Sequence, residues 1–163
     1  MLKRRHMVAF GIGGAAFLAA GRWQLPSATA ADETFKVVRS DAEWRAALSP
    51  QQYAVLRREA TERPYSSPLN DEYRAGTFHC AGCRLALFSS DTKFDSKTGW
   101  PSFWAPLDRA VGVKVDKSMG MARTEVHCAQ CGGHLGHVFD DGPPPTRKRY
   151  CMNGVAMIFV ARA

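Results

Sequence analysis

Two short cysteine spacings constrain this chain more than any other feature. Four of its five cysteines form C-x-x-C pairs, Cys80-Ala-Gly-Cys83 and Cys128-Ala-Gln-Cys131, with 44 residues between the pairs. Each pair suits a tight turn that aims two thiolates at one ion. Two such turns brought together give a tetrahedral four-sulfur set of the kind that holds Zn²⁺. Gly82 and Gly132-Gly133 give the backbone the freedom those turns need. The gap is longer than in a simple zinc ribbon, so the ion would staple distant parts of one domain, a contribution on the order of 10 kcal/mol. Two structural disulfides, or a redox dithiol within one pair, are the competing uses. The dithiol belongs at a strand-to-helix junction of an α/β fold, which the rest of the pattern does not provide.

That pattern is mainly β. Ser40-Asp41-Ala42-Glu43 and Ser49-Pro50-Gln51-Gln52 both have capping-box form, the second with proline at the first helical position. They predict a short helix over 41–47 and a longer one over 50–61 that Pro64 ends, with Trp44, Leu48, Tyr53, Leu56 and Ala60 on the inner faces. From Arg74 onward, short β-branched and aromatic runs alternate with turn residues. Strands are predicted at 76–80, 85–88, 111–115, 123–127, 136–139, 148–153 and 155–161. Two N-terminal helices thus lead into an antiparallel β domain. A length of 163 residues with 23% charged residues fits one globular domain and excludes collagen, coiled coil and wholesale disorder.

The first 30 residues read as an address. Lys3, Arg4 and Arg5 precede an uncharged apolar stretch, Met7–Ala20, which is short for a membrane span, and Ala28-Thr29-Ala30 predicts cleavage after Ala30. Arg4-Arg5, the mildly hydrophobic glycine-containing core and Arg22 resemble a twin-arginine export signal. A general secretory signal that happens to carry two arginines is the other reading. The expectation is an exported, periplasmic protein whose mature part, 31–163, is a single domain with no stable membrane insertion. Of the 22 basic residues four lie in 1–30, which leaves 18 against 15 acidic ones and a net charge of +3 on the mature part, too mild to argue for a nucleic-acid partner.

The fifth cysteine, Cys151, follows Arg147, Lys148 and Arg149, cations that favour the reactive thiolate; a buried, inert thiol on a strand is the other reading. If sulfur fills all four metal positions, His134 and His137 remain free to tune a thiol or supply protons. Gly99-Trp100-Pro101-Ser102-Phe103-Trp104 could be core or the wall of a small apolar pocket, and its composition does not decide between them.

In combination these segments resemble the methionine sulfoxide reductase B family. The matching motifs are Arg63-Pro64 with Ser67-Pro68-Leu69, Gly76–Cys83 (GTFHCAGC), Gly99–Phe103 (GWPSF), Cys128–Pro143 (CAQCGGHLGHVFDDGP) and Arg149–Asn153 (RYCMN), in family order over about residues 40–160. The resemblance implies two antiparallel sheets with short N-terminal helices. It also implies thiol-dependent reduction of the R epimer of methionine S-oxide in proteins. Residue by residue, it makes Cys151 the nucleophile, and Trp100, with Phe103, the pocket for the substrate's methyl group. His134, His137, Arg149 and Asn153 position the sulfoxide or assist proton transfer, Asp141 orients that network, and Cys80, Cys83, Cys128 and Cys131 hold one structural zinc ion.

The chain departs from the family pattern in two places. Thr98 stands where many members carry a resolving cysteine, so the expected product, a Cys151 sulfenic acid, is left to an external, thioredoxin-like thiol. Gly154-Val155 follows Asn153 where Ser-Ala is common, which implies a small packing change beneath the nucleophile. The remaining expectations are a monomer, oxidised methionine in proteins as substrate, and envelope protein repair as the role.

Overall fold

The computed structural model describes residues 34–118 and 120–162. The expected signal segment, residues 1–30, lies outside them. The two helices begin where their caps dictate. In α1 (Asp41–Ala47) the Ser40 hydroxyl accepts from the Glu43 amide while the Glu43 carboxylate accepts from the Ser40 amide, and Ser49 and Gln52 repeat the exchange at α2 (Pro50–Arg58). Each reciprocal pair satisfies amides that have no partner within the helix. Helix α2 stops three residues short of the expected 61. Glu59 takes a left-handed conformation, φ 55°, and turns the chain before Pro64 can act. Trp44, Leu48, Tyr53 and Leu56 are buried as expected, together with Val55, and Ala60 is half-buried.

Nine strands follow: β1 (Gly76–Cys80), β2 (Ala86–Ser89), β3 (Lys93–Phe94), β4 (Ser102–Phe103), β5 (Val111–Asp116), β6 (Arg123–Cys128), β7 (His134–Phe139), β8 (Arg149–Met152) and β9 (Met157–Ala161). They form two antiparallel sheets, a three-stranded one in the order β2-β1-β9 and a six-stranded one in the order β3-β4-β8-β7-β6-β5. The mainly β architecture with short N-terminal helices is therefore as expected. All seven expected strands are present. The two additional ones, β3 and β4, are two residues each, too short to leave any alternation in the sequence. Strand β9 starts later than expected because Gly154–Ala156 forms a 3-10 turn.

The sheets meet through aromatic side chains. Phe103 of the larger sheet stacks on Phe88 at 4.4 Å and meets Phe78 edge-on at 4.9 Å, both from the smaller sheet. Leu87, Val126, Leu135 and Met152 complete the fully buried centre. No helix among the described residues is long and apolar enough to cross a membrane.

Candidate active site and metal centre

Cys80 ends β1 in one sheet and Cys128 ends β6 in the other, so the two cysteine turns tie the sheets together. The four sulfurs lie within 4.8 Å of one another, with Cys80 to Cys131 at 3.7 Å and Cys83 to Cys128 at 3.5 Å. A tetrahedron of sulfurs about 2.3 Å from a zinc ion has edges of about 3.8 Å, whereas a disulfide is about 2.05 Å. All four cysteines are free, and their donor set and spacing fit zinc. The helices cover this centre. Trp44 and Leu56 lie against Gly82, and an Arg57 guanidinium N–H donates to the Cys131 carbonyl at 3.1 Å. Gly132 has φ 67°, the left-handed conformation that the second turn requires.

The thiol Cys151 lies on β8, and strand register assigns its neighbours. Residues directly opposite one another on adjacent strands share a face. Ser102 of β4 opposes Cys151, Cys151 opposes His137 of β7, His137 opposes Glu125 of β6, and Glu125 opposes Lys114 of β5. One polar row thus crosses five strands. Period-two alternation adds Arg149 and Phe139, themselves opposed, to the same face. The guanidinium of Arg149 lies 4.4 Å over the Phe139 ring and donates two 2.8 Å bonds to the exposed carboxylate of Asp141.

His134 reaches this face through a bulge. It lies three positions before His137, an odd offset that in a regular strand would send the two rings to opposite faces. Between Val126 and His127 the β6–β7 register shifts, so that Leu135 is an extra residue on β7. The parity reverses, and the imidazoles of His134 and His137 lie 5.5 Å apart. Asn153 holds the bulge: its backbone N–H and its side-chain amide both donate to the Leu135 carbonyl, at 2.8 and 3.0 Å. Its Oδ1 accepts from the Glu62 amide at 2.9 Å, so the buried Asn153 side chain is engaged within the protein.

Burial pushes the Cys151 thiol up from its ordinary pKa, and hydrogen bonds from Thr98 and Ser102 and the charge of Arg149 act against that rise. The Thr98 hydroxyl lies 3.8 Å from the sulfur. Ser96 joins the two hydroxyls, at 2.8 Å from Thr98 and 2.7 Å from Ser102. Trp100, half-buried, lies between Thr98 and Ser102 in the chain, and its indole N–H donates to the Glu62 carbonyl at 3.2 Å.

Phe103 requires a correction. It was expected beside Trp100 on the substrate side, but it is 0% exposed and packs between the sheets. The reason is alternation. Ser102 faces Cys151, so the next residue on β4 faces the core. Tyr150 and Met152 flank Cys151 on β8 and, by the same alternation, turn to that core face.

Sequence reasoning missed several residues. Glu62 is one: its carboxylate accepts from the amides of Gly154 and Val155 at 2.5 and 2.9 Å, just past the nucleophile, and its place directly before Arg63-Pro64 was the one signal that could have drawn attention to it. Lys114, Asp116, Arg123 and Glu125 are others, and for them a signal existed. In an antiparallel hairpin, K-x-D facing R-x-E pairs opposite charges, as in Lys114–Glu125 at 3.0 Å and Asp116–Arg123 at 2.6 Å.

A metal-stapled double sheet that carries a lone thiol among histidines and an arginine is the framework of a thiol-dependent oxidoreductase. Comparison with known proteins agrees. The SelR domain matches residues 48–161. The chain is 56% identical over 128 residues to the peptide methionine sulfoxide reductase MsrB of Pseudomonas putida (strain W619), covering 78% of this chain and 96% of that relative. It is 54% identical over 134 residues to the protein of the same name from Bradyrhizobium diazoefficiens (82% and 96%), and 54% identical over 125 residues to that of Agrobacterium fabrum (76% and 93%). The chain belongs to the peptide methionine sulfoxide reductase MsrB family.

Proposed function

We infer that this enzyme reduces methionine sulfoxide in oxidised proteins to methionine, acting on the R epimer with Cys151 as the attacking thiol. The observation that carries the reading is the register that sets Cys151 directly between His137 and Ser102 on one polar face. A sulfoxide sulfur becomes electrophilic when its oxygen accepts a proton or a strong hydrogen bond. His137 and His134 supply that acid, directly or through water, while Arg149 favours the thiolate. Thiol and sulfoxide then exchange oxygen: the S=O bond breaks, methionine leaves as a thioether, and Cys151 is left as a sulfenic acid, with no atom unaccounted for. Trp100 holds the methyl group on one side of the sulfur and polar groups hold the oxygen on the other, which makes the reaction chiral. Cys80, Cys83, Cys128 and Cys131 would hold a zinc ion, which would supply folding energy rather than chemistry.

With Thr98 beside the sulfur, the sulfenic acid is reduced from outside. One thiol forms a mixed disulfide with Cys151 and releases water, and a second releases Cys151 and leaves as a disulfide. A thioredoxin-like exported protein is the proposed donor, acting on a monomeric enzyme. The twin-arginine-like features of residues 1–30 support export to the periplasm ahead of a single catalytic domain at 31–163, and hence repair of envelope proteins. The test is turnover of each separated epimer of a blocked methionine sulfoxide with excess dithiothreitol, beside Cys151→Ser. Reduction of the R epimer alone, lost in the variant, is expected. Reduction of neither epimer by zinc-loaded protein would refute the reading.

A further inference from the structure

We propose that Asp116, braced by Arg123, is the positioning residue that fixes the orientation and tautomer of His137 for proton delivery at the sulfoxide oxygen. This rests on the reading of Cys151 and His137 given above. Asp116 closes β5, and its carboxylate is fully engaged: Oδ1 accepts from the Ser118 amide at 2.8 Å, and Oδ2 accepts from Arg123 at 2.6 Å and from His137 Nε2 at 2.8 Å. The Ser118 amide and Arg123 would by themselves hold the carboxylate. The bond from His137 adds a direction to the ring. With its proton on Nε2, His137 keeps Nδ1 for exchange with a substrate.

His134 is held the other way round. Its Nδ1 donates to Glu125 at 2.9 Å, and Lys114 holds the second Glu125 oxygen at 3.0 Å. That leaves Nε2, which is buried and has no hydrogen-bond partner among the described residues. Two carboxylates from the β5–β6 hairpin thus grip the two imidazoles by opposite nitrogens, on the face that carries Cys151.

The charged surroundings of His137 make the carboxylate consequential. The ring is bonded to Asp116 of β5 and lies 5.5 Å from His134 on its own strand; Glu125 of β6 and Cys151 of β8 stand opposite it in register, and Arg123 and Arg149 follow two residues along those strands on the same face. Burial lowers its pKa, and Arg123 and His134 lower it further; Asp116 acts in the opposite direction. An imidazole in that position without its carboxylate loses its proton too readily to serve as an acid near neutral pH.

The test is the rate of the first half-reaction, one equivalent of R-sulfoxide peptide reduced without added thiol, followed against pH in wild type, Asp116→Asn, Asp116→Glu and His137→Asn. Asp116→Asn is expected to slow the step about 10- to 100-fold. It is also expected to move the alkaline fall of the profile to lower pH by about one unit, because the ring then deprotonates earlier. Asp116→Glu is expected to restore part of the rate. A profile for Asp116→Asn that overlays the wild type while His137→Asn is inactive would overturn the proposal alone. Full activity of His137→Asn would overturn the underlying reading of His137 instead. Should Asp116→Asn fail to fold, nitrogen-15 spectra of the wild-type imidazoles decide: His137 carrying its neutral-state proton on Nε2 supports the proposal, and on Nδ1 overturns it.

Discussion

Gly136→Ala tests whether the β7–β8 ladder sets the position of the nucleophile. Gly136 lies on a central strand, opposite Val126 on one side and Met152 on the other, beside the bulge residue Leu135. A Cβ added there would stand 2.1 Å from the Cys151 carbonyl oxygen and 3.0 Å from the Met152 Cα. Ordinary contact begins near 3.4 Å, so β7 and β8 must part by roughly 1 Å. The obstructing atoms are backbone, so no side-chain rotation gives relief, and the displaced carbonyl belongs to the residue that carries the thiol. Overpacking of this kind costs about 1–3 kcal/mol. In a domain of this size that lowers Tm by about 3–10 °C. A displacement of about 1 Å in a reacting group costs on the order of 100-fold in rate. The assay is steady-state reduction of an R-sulfoxide peptide, with thermal unfolding by circular dichroism and metal content measured in parallel. The expected variant is folded and metal-loaded, melts earlier, and has lost kcat rather than KM. A variant with wild-type Tm and kcat would refute the argument, since the strands would then absorb the methyl group without moving Cys151.

Three further outcomes are expected. Phe103→Leu loses two aromatic contacts but little volume, so it should cost about 1–3 kcal/mol in thermal unfolding and leave KM for the sulfoxide unchanged; a raised KM at unchanged Tm would return Phe103 to the substrate pocket. Thr98→Val removes a hydrogen bond that lowers the Cys151 pKa. Less thiolate remains at a given pH, and iodoacetamide should label Cys151 about 3- to 10-fold more slowly at pH 8, a difference that vanishes well above the thiol pKa. Cys83→Ser should lose zinc, as metal analysis would report, and melt at a much lower temperature. A zinc-free variant as stable as the wild type would mean that the aromatic core alone joins the two sheets.

What was legible in the sequence was local. Ser40–Glu43 and Ser49–Gln52 announced both helices because a capping box is a contact between near neighbours in the chain. Glu59 hid the end of α2, since a left-handed turn at a glutamate carries no sign as visible as glycine or asparagine. The turns at Cys80–Cys83 and Cys128–Cys131 were equally local and foretold the metal centre. What was not legible depends on register. Phe103 and Ser102 are adjacent in the Gly99–Phe103 run, and only the pairing of β4 with β8 tells which of them faces Cys151. His134 and His137 have the wrong spacing to share a face, and only the bulge at Leu135 unites them. Glu62 acts from a loop 92 residues before Gly154, beyond any window in which a pattern could be read.

The metal centre and the active site are separate in chemistry but not in construction. The turn from Cys128 to Gly133 is itself the connection between β6 and β7, closed by a bond from the Cys128 amide to the Gly133 carbonyl at 2.9 Å. A hairpin's register is set by its turn. Whatever fixes Cys128 and Cys131 therefore also fixes how β7 departs from β6, including the shift that makes Leu135 a bulge. His134 begins β7 three residues after Cys131, so there is almost no chain in which an error of register could be absorbed. The staple that joins the two sheets thus reaches the chemistry through backbone alone: it sets the turn, the turn sets the bulge, and the bulge turns His134 toward the face where His137 and Cys151 meet. Asn153 closes the loop from the other side, bonding the bulge carbonyl from the residue two positions beyond the nucleophile. Displacement of either anchor would therefore disturb the geometry between thiol and imidazoles before it disturbed the aromatic core beneath them.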